Sequence, residues 1–232
     1  MKAANKTVQR KGESGMAINK LTHAAQRAAF GTAIDAAIKA VRGKGTEHMA
    51  EEALKLIDLG EPFLKKRHKA ESFEAARRLV QDPDGKWMQF AYRAVNEIDP
   101  HILKMNTLNL AYEGMLNGYN HVLELRKKYD CNMPWILLFD PTASCNLHCK
   151  GCWAAEYGKT LNLTYEEMDK LVTEGEELGI HWYMCTGGEP MCRKNDLLRL
   201  AAAHQTSVFH LFTNGTLIDE AFCKEVQKVG NM

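Results

Sequence analysis

After Pro134 the chain takes up a rhythm of apolar run, polar loop and helix, three times in succession. The apolar runs are about Trp135–Asp140, Ile180–Cys185 and Ser207–Phe212. Each is short, bounded by turn residues and followed by a helical pattern, which predicts parallel strands joined by right-handed helical crossovers. The first helix opens on a capping box, Thr164-Tyr-Glu-Glu167. It carries the stripe Met168, Leu171, Val172 and Leu178 and ends at Gly179. The second is expected near Asp196–His204, capped by Asn195, and the third near Asp219–Val229.

The loop after the first strand holds Cys145-Asn-Leu-His-Cys149-Lys-Gly-Cys152, three thiols within eight residues in a CxxxCxxC spacing. Thiolates are soft ligands suited to iron–sulfur clusters or zinc. A cubane cluster held by three cysteines keeps one iron open to a small molecule. Zinc would need a fourth ligand, for which His148, Cys131 or Cys185 are candidates. Structural zinc sites usually pair their ligands in two separated knuckles, and no second pair follows here.

Two later stretches complete a pattern: Gly187-Gly188-Glu189-Pro190 after the second strand and Thr213-Asn214-Gly215-Thr216 after the third. With the cysteine loop they make the chain resemble the radical S-adenosylmethionine (SAM) enzymes, from about Pro134 onward. That resemblance implies the first three βα units of a partial (βα)6 barrel; with the helical pattern upstream, the expected fold is α/β, an N-terminal all-α helical domain followed by this partial barrel. It implies a 4Fe–4S cluster on Cys145, Cys149 and Cys152, with SAM on the open iron. Reductive cleavage of SAM would then give a 5′-deoxyadenosyl radical that abstracts hydrogen from a substrate. By the same resemblance Gly187, Gly188, Glu189 and Pro190 line the cofactor, with Glu189 at the SAM amino group. Thr213, Asn214 and Gly215 reach its ribose or carboxylate side. The implied partners are SAM, an unidentified substrate and an electron donor such as a flavodoxin or ferredoxin. The family usually carries an aromatic residue immediately before the third cysteine. Here Gly151 stands there and Trp153 follows Cys152, so Trp153 is the candidate for packing near the adenine. No catalytic residue beyond the cluster is assigned. The rhythm ends after three units, which is expected of the N-terminal portion of a longer enzyme. Alternatives are a non-catalytic Fe–S and SAM-binding fragment, or a zinc-stabilised helical interaction protein.

Upstream, residues 1–16 are polar and basic and are expected to be a disordered lead-in. Residues 17–130 read as a helical domain and 131–232 as the partial barrel. Thr46 is expected to cap a helix that Gly60 and Pro62 stop, and Asp99-Pro100 to open another. Leu108, Tyr112, Met115, Tyr119 and Val122 alternate four and three apart, which predicts a narrow packing seam along one helix. Lys65-Lys-Arg-His-Lys69 is the densest basic run and reads as a solvated face. His181 and His210 read as structural histidines, and Arg193 and Lys194 as facing solvent. Net charge is +1 and no apolar run approaches the length of a membrane span, so composition carries no nucleic-acid or membrane signal. Seven cysteines, three of them clustered, fit a reducing cytoplasm.

Overall fold

A computed structural model describes residues 2–65, 69–154 and 160–232. The centre of the Lys65–Lys69 run lies outside the described residues. Among the described residues six α-helices precede the first strand: α1 (Lys2–Val41), α2 (Thr46–Leu64), α3 (Ala70–Val80), α4 (Lys86–Glu97), α5 (Pro100–Thr107) and α6 (Tyr119–Tyr129). A π-helical segment, Leu108–Gly118, joins α5 to α6. Then follow β1 (Leu137–Thr142), α7 (Tyr165–Glu177), β2 (Trp182–Gly187), a 3₁₀ turn (Pro190–Arg193), α8 (Lys194–Ala203), β3 (Val208–Leu211) and α9 (Glu220–Val229).

The strands form one parallel sheet in the order β1-β2-β3. Leu137 pairs with Tyr183 and Phe139 with Cys185, but the register shifts before Thr142 meets Gly187. Pro141 lies in that gap. It has no N–H for the ladder, so a bulge falls there and β1 swings toward its loop. One face of the sheet carries Phe139, Tyr183, Cys185 and Phe209. It is sealed by Met168 and Val172 of α7 and by Leu197, Leu200 and Ala201 of α8. The other face leaves Leu138, His210 and Phe212 exposed and Trp182 and Met184 half-buried. The indole N–H of Trp182 donates to His210 Nδ1 at 3.3 Å, and Trp135 meets Trp182 edge-on.

The helices before β1 pack on the N-terminal edge of this sheet. Arg27 of α1 donates to Glu113 Oε1 (2.8 Å), Asn109 Oδ1 (2.8 Å) and the Gln205 carbonyl (3.0 Å). The Asn109 amide continues to the carbonyls of Gln205 and Ser207, just before β3. A second cluster, Met49, Ala50, Val80 and Met88, closes α2, α3 and α4 on themselves.

Several local expectations change. Helix α1 begins at Lys2, taking in the expected lead-in. That segment has no proline, and its Ala, Lys, Gln and Arg content favours helix. Gly45, not Thr46, is the N-cap of α2, and α2 continues through Pro62 to Leu64. The expected cap Asn195 lies inside α8, whose N-cap is Arg193. The seam also breaks. Leu108, Tyr112 and Val122 are buried, but Met115 is 64% and Tyr119 45% exposed. A π-helix bonds i to i+5 and holds more residues per turn, so the inward stripe moves to Asn109, Glu113 and Gly118. Arg193 is not given over to solvent: it bonds Asp196 (2.7 Å) and the carbonyls of Leu163 (2.6 Å) and Pro141 (3.3 Å). Lys194 pairs with Asp219. His181 is buried, its Nδ1 3.1 Å from the Thr206 carbonyl, and burial pushes its pKa down. It is a structural histidine, as expected. Among the described residues no helix is long and apolar enough to cross a membrane.

Candidate functional site

The C-terminal ends of the three strands release three loops side by side. The first, carrying the cysteines, is tied at its feet. Thr142 bridges antiparallel to Asn162, its hydroxyl bonds the Asn162 side chain, and Ala143 N–H donates to the Leu161 carbonyl at 2.8 Å. Within the loop, Ser144 N–H donates to Thr142 Oγ1 (2.9 Å), Leu147 N–H to Cys145 Sγ (3.4 Å) and Cys152 N–H to the Cys149 carbonyl (3.2 Å). Cys145 is half-buried, Cys149 and Cys152 are exposed, and no described cysteine is in a disulfide. Trp153 is 58% exposed.

The second loop is pressed against the first. Gly188 N–H donates to the Thr142 carbonyl (2.9 Å) and Glu189 N–H to the Ser144 carbonyl (2.8 Å). A Cβ on Gly188 would stand 2.3 Å from the Ser144 carbonyl oxygen and 2.6 Å from that of Ala143. Gly187 has φ +96°, and its Cβ would fall 2.8 Å from Asp140 Cβ. Gly188 is therefore required by the approach of one loop backbone to another, and Gly187 by its positive φ and its closeness to the end of β1. Pro190 is buried at the first position of the 3₁₀ turn.

Glu189 is 2% exposed, and its carboxylate is directed into the protein. Oε1 accepts from Met191 N–H (2.9 Å) and from the Thr213 hydroxyl (2.7 Å), while Oε2 accepts from Asn214 N–H (2.8 Å). A carboxylate offers about four lone-pair positions, so about one is left for a ligand. The third loop is then held from two sides. Thr213 Oγ1 also accepts from Gly215 N–H (3.0 Å), and Asn214 Nδ2 donates to Asn146 Oδ1 (3.0 Å).

The structure thus gathers Cys145, Cys149, Cys152, Gly187, Gly188, Glu189, Pro190, Thr213, Asn214 and Gly215 onto three mutually bonded loops. Trp153 shares the first loop. Cys185 is excluded from it. Its side chain is fully buried on the helix-packed face, and burial, with the Asp140 charge beside it, pushes its thiol up to about 12. That removes one of the proposed fourth zinc ligands. Among the described residues no group of three or more His, Cys, Asp or Glu side chains is gathered closely enough to hold a metal ion. Sequence reading missed Asn146, Ser144 and Asn162. They sit in a loop where no periodicity applies, and only a polar residue placed between two cysteines hints at Asn146.

Residues 139–232 match the family model described as Radical SAM superfamily. Among curated proteins the chain is similar to the PqqA peptide cyclase of Granulibacter bethesdensis, 33% identical over 100 residues, covering 42% of this chain and 27% of that protein. It is similar to the Fe-coproporphyrin III synthase of Methanosarcina barkeri, 33% identical over 99 residues, covering 41% and 25%. It is also similar to the GTP 3′,8-cyclase of Geobacter sulfurreducens, 36% identical over 86 residues, covering 34% and 26%. The chain spans between 25% and 27% of the length of these three relatives. No solved structure matches it. The segment that matches the radical SAM superfamily model, residues 139–232, is the one that carries all three loops.

Proposed function

We propose that Cys145, Cys149 and Cys152 hold a 4Fe–4S cluster and that the second and third loops hold SAM against its open iron. The carrying observation is that the three loops leave adjacent parallel strands and hydrogen-bond to one another. The donor set fits the group: three thiols on one loop, none in a disulfide, all with some exposure. When bound, cluster and SAM supply reductive cleavage to a 5′-deoxyadenosyl radical and hydrogen abstraction from a substrate. The chain's residues bind and orient. Glu189 braces the second and third loops, and its remaining lone pair is a natural partner for the SAM ammonium. Trp153 offers an aromatic face near the third cysteine.

The sheet is read as the first three strands of a (βα)6 barrel. The open face with Leu138, Met184, His210 and Phe212 would then be its lumen, where a substrate meets the radical. The relatives are named for a peptide, a porphyrin and a nucleotide. The segment they share with this chain therefore carries what those activities have in common, not the choice of substrate.

The test is anaerobic reconstitution with iron and sulfide, followed by an assay for 5′-deoxyadenosine from SAM under reductant. The chain is expected to release it and the C145A/C149A/C152A variant is not. Brown protein that binds SAM without cleaving it would replace this reading with a non-catalytic binding module. One zinc with no sulfide would overturn it.

A further inference from the structure

Asn146 follows Cys145 directly, and its side chain closes a ring across two loops. Asn146 Nδ2 donates to Thr216 Oγ1 at 2.7 Å. The Thr216 hydroxyl donates to Asn214 Oδ1 at 2.7 Å. Asn214 Nδ2 donates back to Asn146 Oδ1 at 3.0 Å. Each residue gives one hydrogen and takes one, so the ring has a single sense that both amides and the hydroxyl satisfy together. Thr216 N–H adds a fourth bond to Asn214 Oδ1 at 2.9 Å.

The ring closes a longer circuit. From Asn214 the backbone N–H runs to Glu189 Oε2, and from Glu189 N–H to the Ser144 carbonyl, two residues before Asn146. Cysteine loop, third loop and second loop are therefore bonded in a cycle, and Asn146 is the link that closes it. The three ring residues are exposed in this region and none belongs to the hydrophobic core. Their bonds fix one loop against another.

We propose that Asn146 is a positioning residue that locks the cysteine loop to the Thr213–Thr216 loop, so that the placement of the thiols and of the SAM-facing third loop is set jointly. The consequence for SAM rests on the cofactor reading above; the lock itself is a property of the protein alone.

The experiment has two arms. In the first, hydrogen–deuterium exchange is followed in the cofactor-free chain. Asn146→Ala and Thr216→Val should speed exchange over residues 213–217 about fivefold, the combined effect of the two exposed hydrogen bonds that each removes, while Thr216→Ser stays at the wild-type rate. Melting temperatures should stay within about 2 °C of wild type, since exposed substitutions rarely cost more. In the second arm the reconstituted proteins are titrated with SAM and followed by paramagnetic resonance. Asn146→Ala should keep the wild-type iron and sulfide content but bind SAM about fivefold more weakly, with Thr216→Ser restored. Unchanged exchange in both Asn146→Ala and Thr216→Val overturns the lock. Faster exchange with unchanged SAM affinity overturns the positioning role and leaves a structural one. A wild-type chain that takes up no cluster sinks the cofactor reading and the positioning role with it, while the exchange arm still decides the lock.

Discussion

Glu189 Oε2 accepts the backbone N–H of Asn214 at 2.8 Å, so a buried carboxylate on the second loop holds the backbone of the third. The same carboxylate takes the Thr213 hydroxyl and its own loop's Met191 N–H. Glu189→Gln would place an amide N–H₂ against one of these donors. Leaving a buried donor without an acceptor costs about 1–3 kcal/mol. The variant should unfold at lower urea, with an unchanged slope, and should bind SAM more weakly than wild type. Equal urea midpoints would show that the brace contributes nothing.

Gly188 is held between the carbonyls of Ser144 and Ala143. Gly188→Ala must push the cysteine loop away, since backbone atoms, not a flexible side chain, stand in the way. Overpacking of this kind costs about 1–3 kcal/mol. The expected outcome is a lower urea midpoint together with reduced iron uptake on reconstitution. Gly151→Ala is a useful contrast: it has φ +76° but nothing within 4 Å of its Cβ, so it strains the backbone without pressing on a neighbour.

The strands and the three loop motifs were legible because they follow simple rules: period and length for the strands, fixed residue spacing for the loops. The buried polar layer beneath the sheet was not. Glu113 is 1% exposed and would be expected on a solvent face of a regular helix. It turns inward because the segment is π-helical, and a change in residues per turn leaves no local sign in a pattern of apolar positions. Its partners lie far along the chain, at His23 and Arg27. The role of Glu189 was half legible. The motif marks the residue, but its burial and its bonds to Thr213 and Asn214 depend on the spacing between two strand ends.

That layer carries its own prediction. Arg27→Met removes a cation from Glu113 and a donor from Asn109 and Gln205. The buried carboxylate keeps His23 and Asn117 but loses its guanidinium, which costs about 3 kcal/mol. The urea midpoint should fall accordingly, and Arg27→Met/Glu113→Leu should recover much of the loss. Failure of the double variant to recover anything would place the cost in packing instead of charge.

His204 sits between two carboxylates, its Nδ1 3.1 Å from Glu176 and its Nε2 3.1 Å from Asp169. Burial works against its charge, but the bonds to Glu176 and Asp169 outweigh it and raise its pKa above the ordinary 6.5. Burial likewise opposes the charge on Glu176. Hydrogen bonds from His204, Ser207 and Thr206 win, and hold it below the ordinary 4.5. The histidine's contribution is complete below 6.5 and is lost as pH rises through its higher folded value. The carboxylate's is complete above 4.5 and is lost as pH falls through its lower one. The difference in melting temperature between wild type and His204→Gln should therefore be widest between about pH 4.5 and 6.5 and narrow as pH rises above that window. A difference that is flat with pH would assign His204 a packing role alone.

The most direct test of the account is the Mössbauer spectrum of the anaerobically reconstituted chain, recorded with and without SAM. The account predicts the signature of a 4Fe–4S cluster in which one iron changes its environment when SAM is added, and loss of that signature in C145A/C149A/C152A. A spectrum with no 4Fe–4S component, or one in which all four irons ignore SAM, would contradict it.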